Sequence, residues 1–489
     1  MGKELATIAF APEDRVNYRH KVRSCMDALA QMLDADAFDE REGMTGLEIE
    51  LNLVEDDGRP AMRNAEVLGH LADPAFQTEL GLFNLELNEP PRPVGELGAY
   101  RRDILDRLRK ASERAAKADT GLVMIGMLPT LTADDLVLAN LSANERYRLL
   151  NDEMAGARGE QFHLDIRGEE RLRSSSDSIV PEAACTSVQF HLQVAPGRFA
   201  PYWNAAQAIA GPQVAVGANS PWFHGRRLWA ETRIAVFDQA TDVRPDELKA
   251  QGVRPRVWFG ESWITSVFDL FEENVRYFPP LLPIMDDEDP LKVLNAGGIP
   301  HLGELRLHNG TVYRWNRPVY DVMEGRPHLR VENRVLPSGP TVADLMANAA
   351  FYLGLTRQLA DEERPIWSQL PFADAADNFH RGARDGFDAV MRWPRIGEIA
   401  VTDLVRSVLL PKAHQGLDRF GVDPADRDAL LGIIDERCRT GQNGATWQTA
   451  TVRNAERRGL SRQAALHEML RLYRLHQDTD EPVHTWPVA

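Results

Sequence analysis

Gly46-Leu47-Glu48-Ile49-Glu50-Leu51-Asn52-Leu53 is the stretch on which the fold turns: apolar residues at 47, 49, 51 and 53 alternate with Glu48, Glu50 and Asn52. Successive side chains of a strand point to opposite faces, so a period of two predicts a strand with one apolar and one acidic side. Three further segments repeat the pattern. Phe83, Leu85 and Leu87 alternate with Asn84, Glu86 and Asn88. Val188, Phe190, Leu192 and Val194 alternate with Ser187, Gln189, His191 and Gln193. Leu329, Val331 and Val335 alternate with Arg330, Glu332 and Arg334, Asn333 being the one break. Strands of this kind predict an antiparallel or mixed sheet with its apolar face under helices and its polar face open. A fifth segment, Glu304 to His308, alternates likewise. It leads through Asn309-Gly310 into Thr311 to Trp315, which predicts a hairpin.

Helical spacing recurs around these strands. It is seen at Val22, Met26, Leu29 and Leu33; at Leu97, Tyr100, Ile104 and Leu108 after Pro93; and from Pro201 towards Val216. Thr341 is placed to cap a helix carrying Val342, Leu345, Ala349 and Leu353. Beyond residue 370 the chain reads as entirely helical, including Pro424 to Thr440 and Ser461 to His476. The fold class is therefore α+β. The simplest division is one intertwined unit over residues 1–400 with a helical extension over 401–489 packed on it.

Composition narrows the function. The 489 residues are 43% hydrophobic and 26% charged, an ordinary globular balance. Net charge is 56 − 73 = −17, which disfavours nucleic acid and anionic membrane as partners. No apolar run approaches the ~20 residues of a membrane span. Met1-Gly2-Lys3-Glu4 lacks the features of a signal peptide, and Ala6 stands where a myristoylated Gly2 needs Ser or Thr. Three scattered cysteines, Cys25, Cys185 and Cys438, suit a reducing compartment, so a cytoplasmic location is expected. A homo-oligomer is left open. The Walker, dinucleotide, H-E-x-x-H and C-x-x-C motifs are all missing, so any phosphate must be held by metals and arginines.

The polar sides of the four strands collect carboxylates, carboxamides, a histidine and arginines, with almost no Ser or Thr. A merely solvated face is the plain alternative. Carboxylates on adjacent strands repel unless a positive charge lies between them. Magnesium, which is hard and prefers oxygen ligands, suits that place, held by one or two carboxylates and by substrate phosphates.

These segments resemble the carboxylate–amine ligases related to glutamate–cysteine ligase, family 2, whose catalytic domain is of glutamine-synthetase type. Gly46-Leu47-Glu48-Ile49-Glu50 is similar to the family's first strand, G-x-E-x-E. Leu85 to Pro91 is similar to its second acidic strand, with Glu79 seven residues before Glu86. Asn144-Glu145-Arg146-Tyr147 resembles the N-x-R-Y helix start, and Cys185 to Leu192 the T-x-S-V-Q-x-N-L strand. Ala218 to Trp222 matches A-N-S-P-[FW], Val331 to Arg334 resembles the E-x-R strand, and Asn378 to Gly386 a late helix. The pieces run in the family's order from about residue 44 to beyond 390.

The resemblance implies ATP and magnesium as cofactors and Glu48, Glu50, Glu79, Glu86, Gln189 and Glu332 as metal ligands. It implies that Arg334 contacts the phosphoryl group in transfer and that Arg233 binds the acidic substrate's carboxylate, with His191, Asn219 and Arg330 also on the substrates. The Asn219 to Arg227 loop and Pro279-Pro280 are expected to cover the site. His191 stands where the family has Asn, the tail beyond residue 400 is longer than in compact members, and Arg226 to Gln239 fits poorly. The implied activity joins a carboxylate, glutamate by inheritance, to an amine through an acyl phosphate, with small-molecule acid and amine as substrates. A guanidino-kinase-like phosphotransferase and a non-catalytic nucleotide-binding member are the alternatives.

Overall fold

The computed structural model describes residues 10–489. The N-terminal positions Met1 to Glu4 and Ala6 lie outside the described residues. Seven strands form the main sheet: β1 (Met44–Val54), β2 (Phe76–Thr78), β3 (Asn84–Pro93), β4 (Gly121–Val123), β5 (Ser187–Gln193), β6 (Asn316–Met323) and β7 (Arg326–Pro337). They run in the order β6-β7-β5-β1-β3-β2, with β4 paired to the end of β1, and every pairing is antiparallel. All four strands expected from alternation are present.

Register decides which polar groups meet. Glu50 lies opposite Glu86, Glu48 opposite Gln189, and Glu332 opposite both His191 and Arg317. A slip of one residue would send each set to the other face.

The apolar side is buried in one continuous core with helices α1 (Pro12–Asp34), α2 (Leu97–Ala115), α4 (Pro196–Gly217) and α6 (Val342–Ala360). α4 and α6 are buried almost all round, as helices lined with Ala, Val, Leu and Phe on every side must be. Phe190 of β5 stacks on Tyr352 of α6, ring centroids 6.2 Å apart. Truncating Phe190 to Ala would cost about 3–5 kcal/mol. Thr341 caps α6, its hydroxyl accepting from the Asp344 N–H at 3.1 Å. Asn333 breaks the alternation because it points into this core: its amide bonds Gln213 and Asn316.

The C-terminal segment contains α7 (Pro424–Thr440), α8 (Gly444–Arg457) and α9 (Arg462–Gln477). It docks through close backbone approach: a Cβ on Gly416 would sit 1.8 Å from the Gly354 carbonyl oxygen of α6. Buried Arg437 of α7 pairs with Asp344 of α6 at 2.7 Å. The Tyr473 hydroxyl of α9 donates to the Met124 carbonyl at 2.7 Å. Among the described residues no helix is long and apolar enough to cross a membrane.

Two expectations are corrected. Glu304 to His308 is no strand but part of a short helix, α5 (Gly303–Asn309). Its alternation coincides with an i, i+4 spacing that buries Glu304 and His308 together. Gly310 has φ −66°, so Asn309-Gly310 does not form the positive-φ turn of a tight hairpin. Tyr313–Arg314 pairs instead in parallel with Val257–Trp258. Beyond residue 370 the chain is not all helix, since Val390–Trp393 and Gly397–Ala400 form a hairpin. Its turn takes positive φ at Arg395 and Gly397.

Candidate active site

The polar side of the sheet is not open to water. Glu50 is 9% exposed, Glu86 5%, Gln189 2% and Glu332 1%, so this face cannot be an ordinary solvated one. Its cover comes from the first turns of α3 (Glu145–Arg158), the 3₁₀ turn Val180–Ala184, and the segment Tyr313 to Arg317. Asn144 caps α3, accepting from the Arg146 N–H at 3.0 Å, which sets Arg146 and Tyr147 at the rim. The cavity between sheet and cover holds about 380 Å³ and is lined by Glu48, Glu50, Glu79, Glu86, Glu182, Gln189, Arg146, Arg233, Arg317 and Arg334. A second cavity of about 350 Å³ shares Glu48 and Asn88 with it. That one is lined by Arg41, His191, Arg326, His328 and Arg330, with Met44, Leu47 and Met323 as apolar wall.

One end of the sheet face is acidic. Oxygens of Glu50, Glu79 and Glu86 all lie within 4.8 Å of one another. Glu50 accepts from the Ser187 N–H at 2.6 Å, the Ser187 hydroxyl at 3.0 Å and Gln189 Nε2 at 2.9 Å. Glu86 accepts from Gln77 at 2.5 Å and Asn88 at 2.7 Å. These neutral donors do not cancel the charge. Desolvation, and then Glu86 and Glu50, push the Glu79 carboxyl well above the usual range. Desolvation with Glu48 and Glu50 lifts Glu86 to about 7, and desolvation raises Glu50 against the pull of Arg334. Three clustered, partly dehydrated hard oxygens suit a divalent cation such as magnesium, and the residues therefore fit the implied metal.

The other end is neutralised. Glu332 pairs with Arg317 at 2.9 Å and with Arg334. Desolvation works to raise its pKa, but Arg317 and Arg334 outweigh it and hold the carboxyl below the usual range. Glu48 bonds His191 Nε2 at 3.0 Å, and against desolvation the imidazole draws its pKa down. Arg334 also donates to the Gln189 side-chain amide oxygen, Oε1. The expected ligands thus fall into two groups on one face: Glu50, Glu79 and Glu86 cluster for a cation, while Glu48, Gln189 and Glu332 are tied to His191 and arginines.

The remaining expected residues separate. Arg233 lines the cavity, but its guanidinium bonds Glu231 at 3.1 Å, the Val335 carbonyl at 2.6 Å and the Arg334 carbonyl at 3.5 Å. Those bonds brace β7. Arg330 faces the second cavity, where it bonds His328 at 2.9 Å. Asn219 is a correction: it is fully buried, and its amide bonds Ser338, Tyr473 and Gln448 at 2.7–2.8 Å, so it cannot reach a substrate. The expected covers are displaced for the same reason. Asn219 and Ser220 are interior, Pro221 and Arg227 border a different cavity, and Pro279-Pro280 another.

Sequence reasoning missed Glu182, Arg317 and His328 as site residues. Arg317 was findable, since Pro318, Tyr320 and Val322 alternate with Arg317, Val319 and Asp321, but a proline inside the run argues against a strand.

A covered antiparallel sheet gathers acids at one end of a cavity and arginines at the other, with no Walker motif, and the family whose sequence model this chain matches places it in the class of ATP-dependent amide-forming ligases. The chain belongs to glutamate–cysteine ligase family 2, whose sequence model matches residues 44–467. No curated protein matches it. Among solved structures, a bifunctional glutathione synthetase from Pasteurella multocida is 14% identical at a TM-score of 0.50, with 93% of this chain and 53% of that one covered. The chain spans about half the length of that protein. The glutamate–cysteine ligase of Francisella tularensis, solved in complex with AMP, is 13% identical over 92% of this chain and 97% of that one, at a TM-score of 0.49. The ligase PafA in complex with the ubiquitin-like protein Pup is 11% identical over 87% and 71%, at 0.37. At 14% identity the likeness to the Pasteurella multocida protein is one of fold.

Proposed function

We propose that this protein joins a carboxylic acid, glutamate by family inheritance, to an amine, at the expense of ATP and with magnesium bound. The observation that carries the reading is the trio of Glu50, Glu79 and Glu86 within 4.8 Å, walled into the same cavity as Arg334. Glu50, Glu79 and Glu86 would hold the metal, which when bound supplies neutralisation of phosphate charge.

The chain's own residues supply positioning. The second cavity, with its methionines, leucine and arginines, suits a nucleotide whose phosphates reach inward past Glu48. Arg334 and Arg317 meet the charge that builds as the γ-phosphoryl group moves onto the substrate carboxylate. Their partner Glu332 fixes both guanidiniums in place, because an arginine free to take two orientations would position nothing. Arg146, an exposed guanidinium at the rim with no carboxylate partner among the described residues, is placed to take the acid's remote carboxylate. α3 and the Val180–Ala184 turn keep water from the acyl phosphate.

The test is an ADP-release screen of acids against amines, with mass spectrometry of the products. ADP release that needs both an acid and an amine, with an amide formed, supports the reading. A phosphorylated amine with no amide would replace it with a phosphotransferase, and no magnesium-dependent turnover of any pair would end it.

A further inference from the structure

Five carboxylates line the covered cavity, and four have partners. Glu48 bonds His191, Glu50 bonds Ser187 and Gln189, Glu79 accepts from the Leu80 N–H at 3.0 Å, and Glu86 bonds Gln77 and Asn88. The fifth, Glu182, has none among the described residues: its Oε2 is buried without a hydrogen-bond partner, and no ion pair reaches it. It sits in the 3₁₀ turn Val180–Ala184, whose other four residues are apolar and buried. Pro181 fixes the first turn, and the Glu182 carbonyl accepts from the Cys185 N–H at 2.8 Å, so the side chain is presented from a stiff support. Tyr147, Tyr313, Arg334 and Glu50 lie within electrostatic reach. No hydrogen bond ties Glu182 to the cation-holding trio.

A carboxylate oxygen buried without a partner costs a fold stability, so its place in a cavity calls for a visiting donor. The amine substrate is that donor. In neutral solution an alkylamine is an ammonium ion, which carries the N–H groups and positive charge that Glu182 lacks. It must also lose a proton before its lone pair can attack.

We propose that Glu182 is the acceptor-amine site: it binds the ammonium group of the second substrate and takes its proton. This rests on the ligase reading above. The ammonium passes one proton to Glu182 Oε2, and the freed lone pair attacks the acyl-phosphate carbon. The C–N bond forms, the C–O bond to phosphate breaks, and phosphate leaves with that electron pair. The surplus proton on nitrogen departs with the phosphate, giving the amide, hydrogen phosphate and a neutral Glu182. Burial supports the task, since desolvation lifts this carboxyl to about 7 against the pull of Arg334.

Hydroxylamine separates the role from a structural one, because it is largely uncharged at neutral pH and needs no base to expose its lone pair. Full-length wild type, Glu182→Gln and Glu182→Ala are compared with ATP, magnesium and L-glutamate. The acceptors are L-cysteine, methylamine and ethylamine on one side and hydroxylamine on the other. Both variants are expected to lose amide formation by about 10²–10³-fold while hydroxamate formation stays within about threefold of wild type. Their Tm is expected to be equal or higher, since an unpaired buried charge has gone. Equal loss of amide and hydroxamate, or a lowered Tm in both variants, overturns the assignment. A wild type that forms neither product overturns the ligase reading and this assignment with it.

Discussion

The two ends of the sheet's polar face use the same residue type to opposite effect. At one end Glu50, Glu79 and Glu86 crowd within 4.8 Å, hydrogen-bonded by neutral donors, and despite the pull of Arg334 on Glu50 their carboxyls are pushed up. At the other end Glu332 lies between Arg317 and Arg334 and is held down. Burial is similar, with Glu86 5% and Glu332 1% exposed, so burial does not distinguish them. The distinction is whether the fold supplies the countercharge or leaves it to a ligand. An acid supplied with arginines is a structural and orienting group; a cluster left without them is a receptor.

The largest effect that tests this contrast is on turnover. Glu86→Gln and Glu332→Gln are each expected to lower magnesium-dependent ADP release by at least about 10²-fold, since both ends act on the transferred phosphoryl group. Full activity in either variant removes that end from the site.

Stability should then split the two variants. Glu332→Gln leaves the half-buried Arg317 and Arg334 without their carboxylate, a loss of about 1–3 kcal/mol in denaturant unfolding, between the limits for exposed and buried pairs. Glu86→Gln relieves repulsion, so metal-free protein is expected to be as stable as wild type or more so. Equal destabilisation would erase the contrast.

The pH dependence of the metal-free protein gives a third measure. A carboxyl raised from the ordinary range to about 7 in the folded state binds its proton more tightly there than in the unfolded chain. Between about pH 4.5 and 7 the folded state therefore holds more protons, and stability falls as pH rises through that window. Glu86 contributes on the order of 3 kcal/mol to that fall, so the fall should be smaller by that amount in Glu86→Gln. Stability rising across this window in wild type would contradict the raised carboxyl.

Magnesium should reverse that loss, raising wild-type stability by about 2.7 kcal/mol at a hundredfold excess over its Kd. Thermal unfolding should show the gain in wild type and in Arg330→Gln, but not in Glu86→Gln. The smallest effect belongs to Arg330→Gln itself. Its 3.4 Å pairing with Asp321 is partly exposed, and a stability change under about 1 kcal/mol is expected.

The sheet was legible because alternation in Leu47 to Leu53 and its three counterparts reports directly on two faces. The convergence of Glu50 with Glu86 followed once those strands paired in register. What could not be read was the lid. Arg146, Tyr147, Glu182 and Tyr313 come from a helix start, a 3₁₀ turn and a short strand, none long enough to carry a period. Burial of the polar face was invisible for the same reason. Asn219 misled because a motif match says that a residue is needed, not whether it is needed for substrate or for packing under α8 and α9. Glu304 to His308 misled because five residues satisfy periods of two and of four alike.

Asn333 has a consequence for how this site can change. On the apolar side of the sheet, Gln207, Asn316, Asn333 and Gln213 are linked amide to amide at 2.7–3.2 Å, joining β6 and β7 to α4. Sliding β7 by one residue would strand four amides in oil and present Asn333 where Glu332 and Arg334 now stand. The carboxamide chain thus acts as a keel beneath the reactive surface. Substitutions at the rim can retune what enters, while a change in the keel would lose the phase of every charge above it.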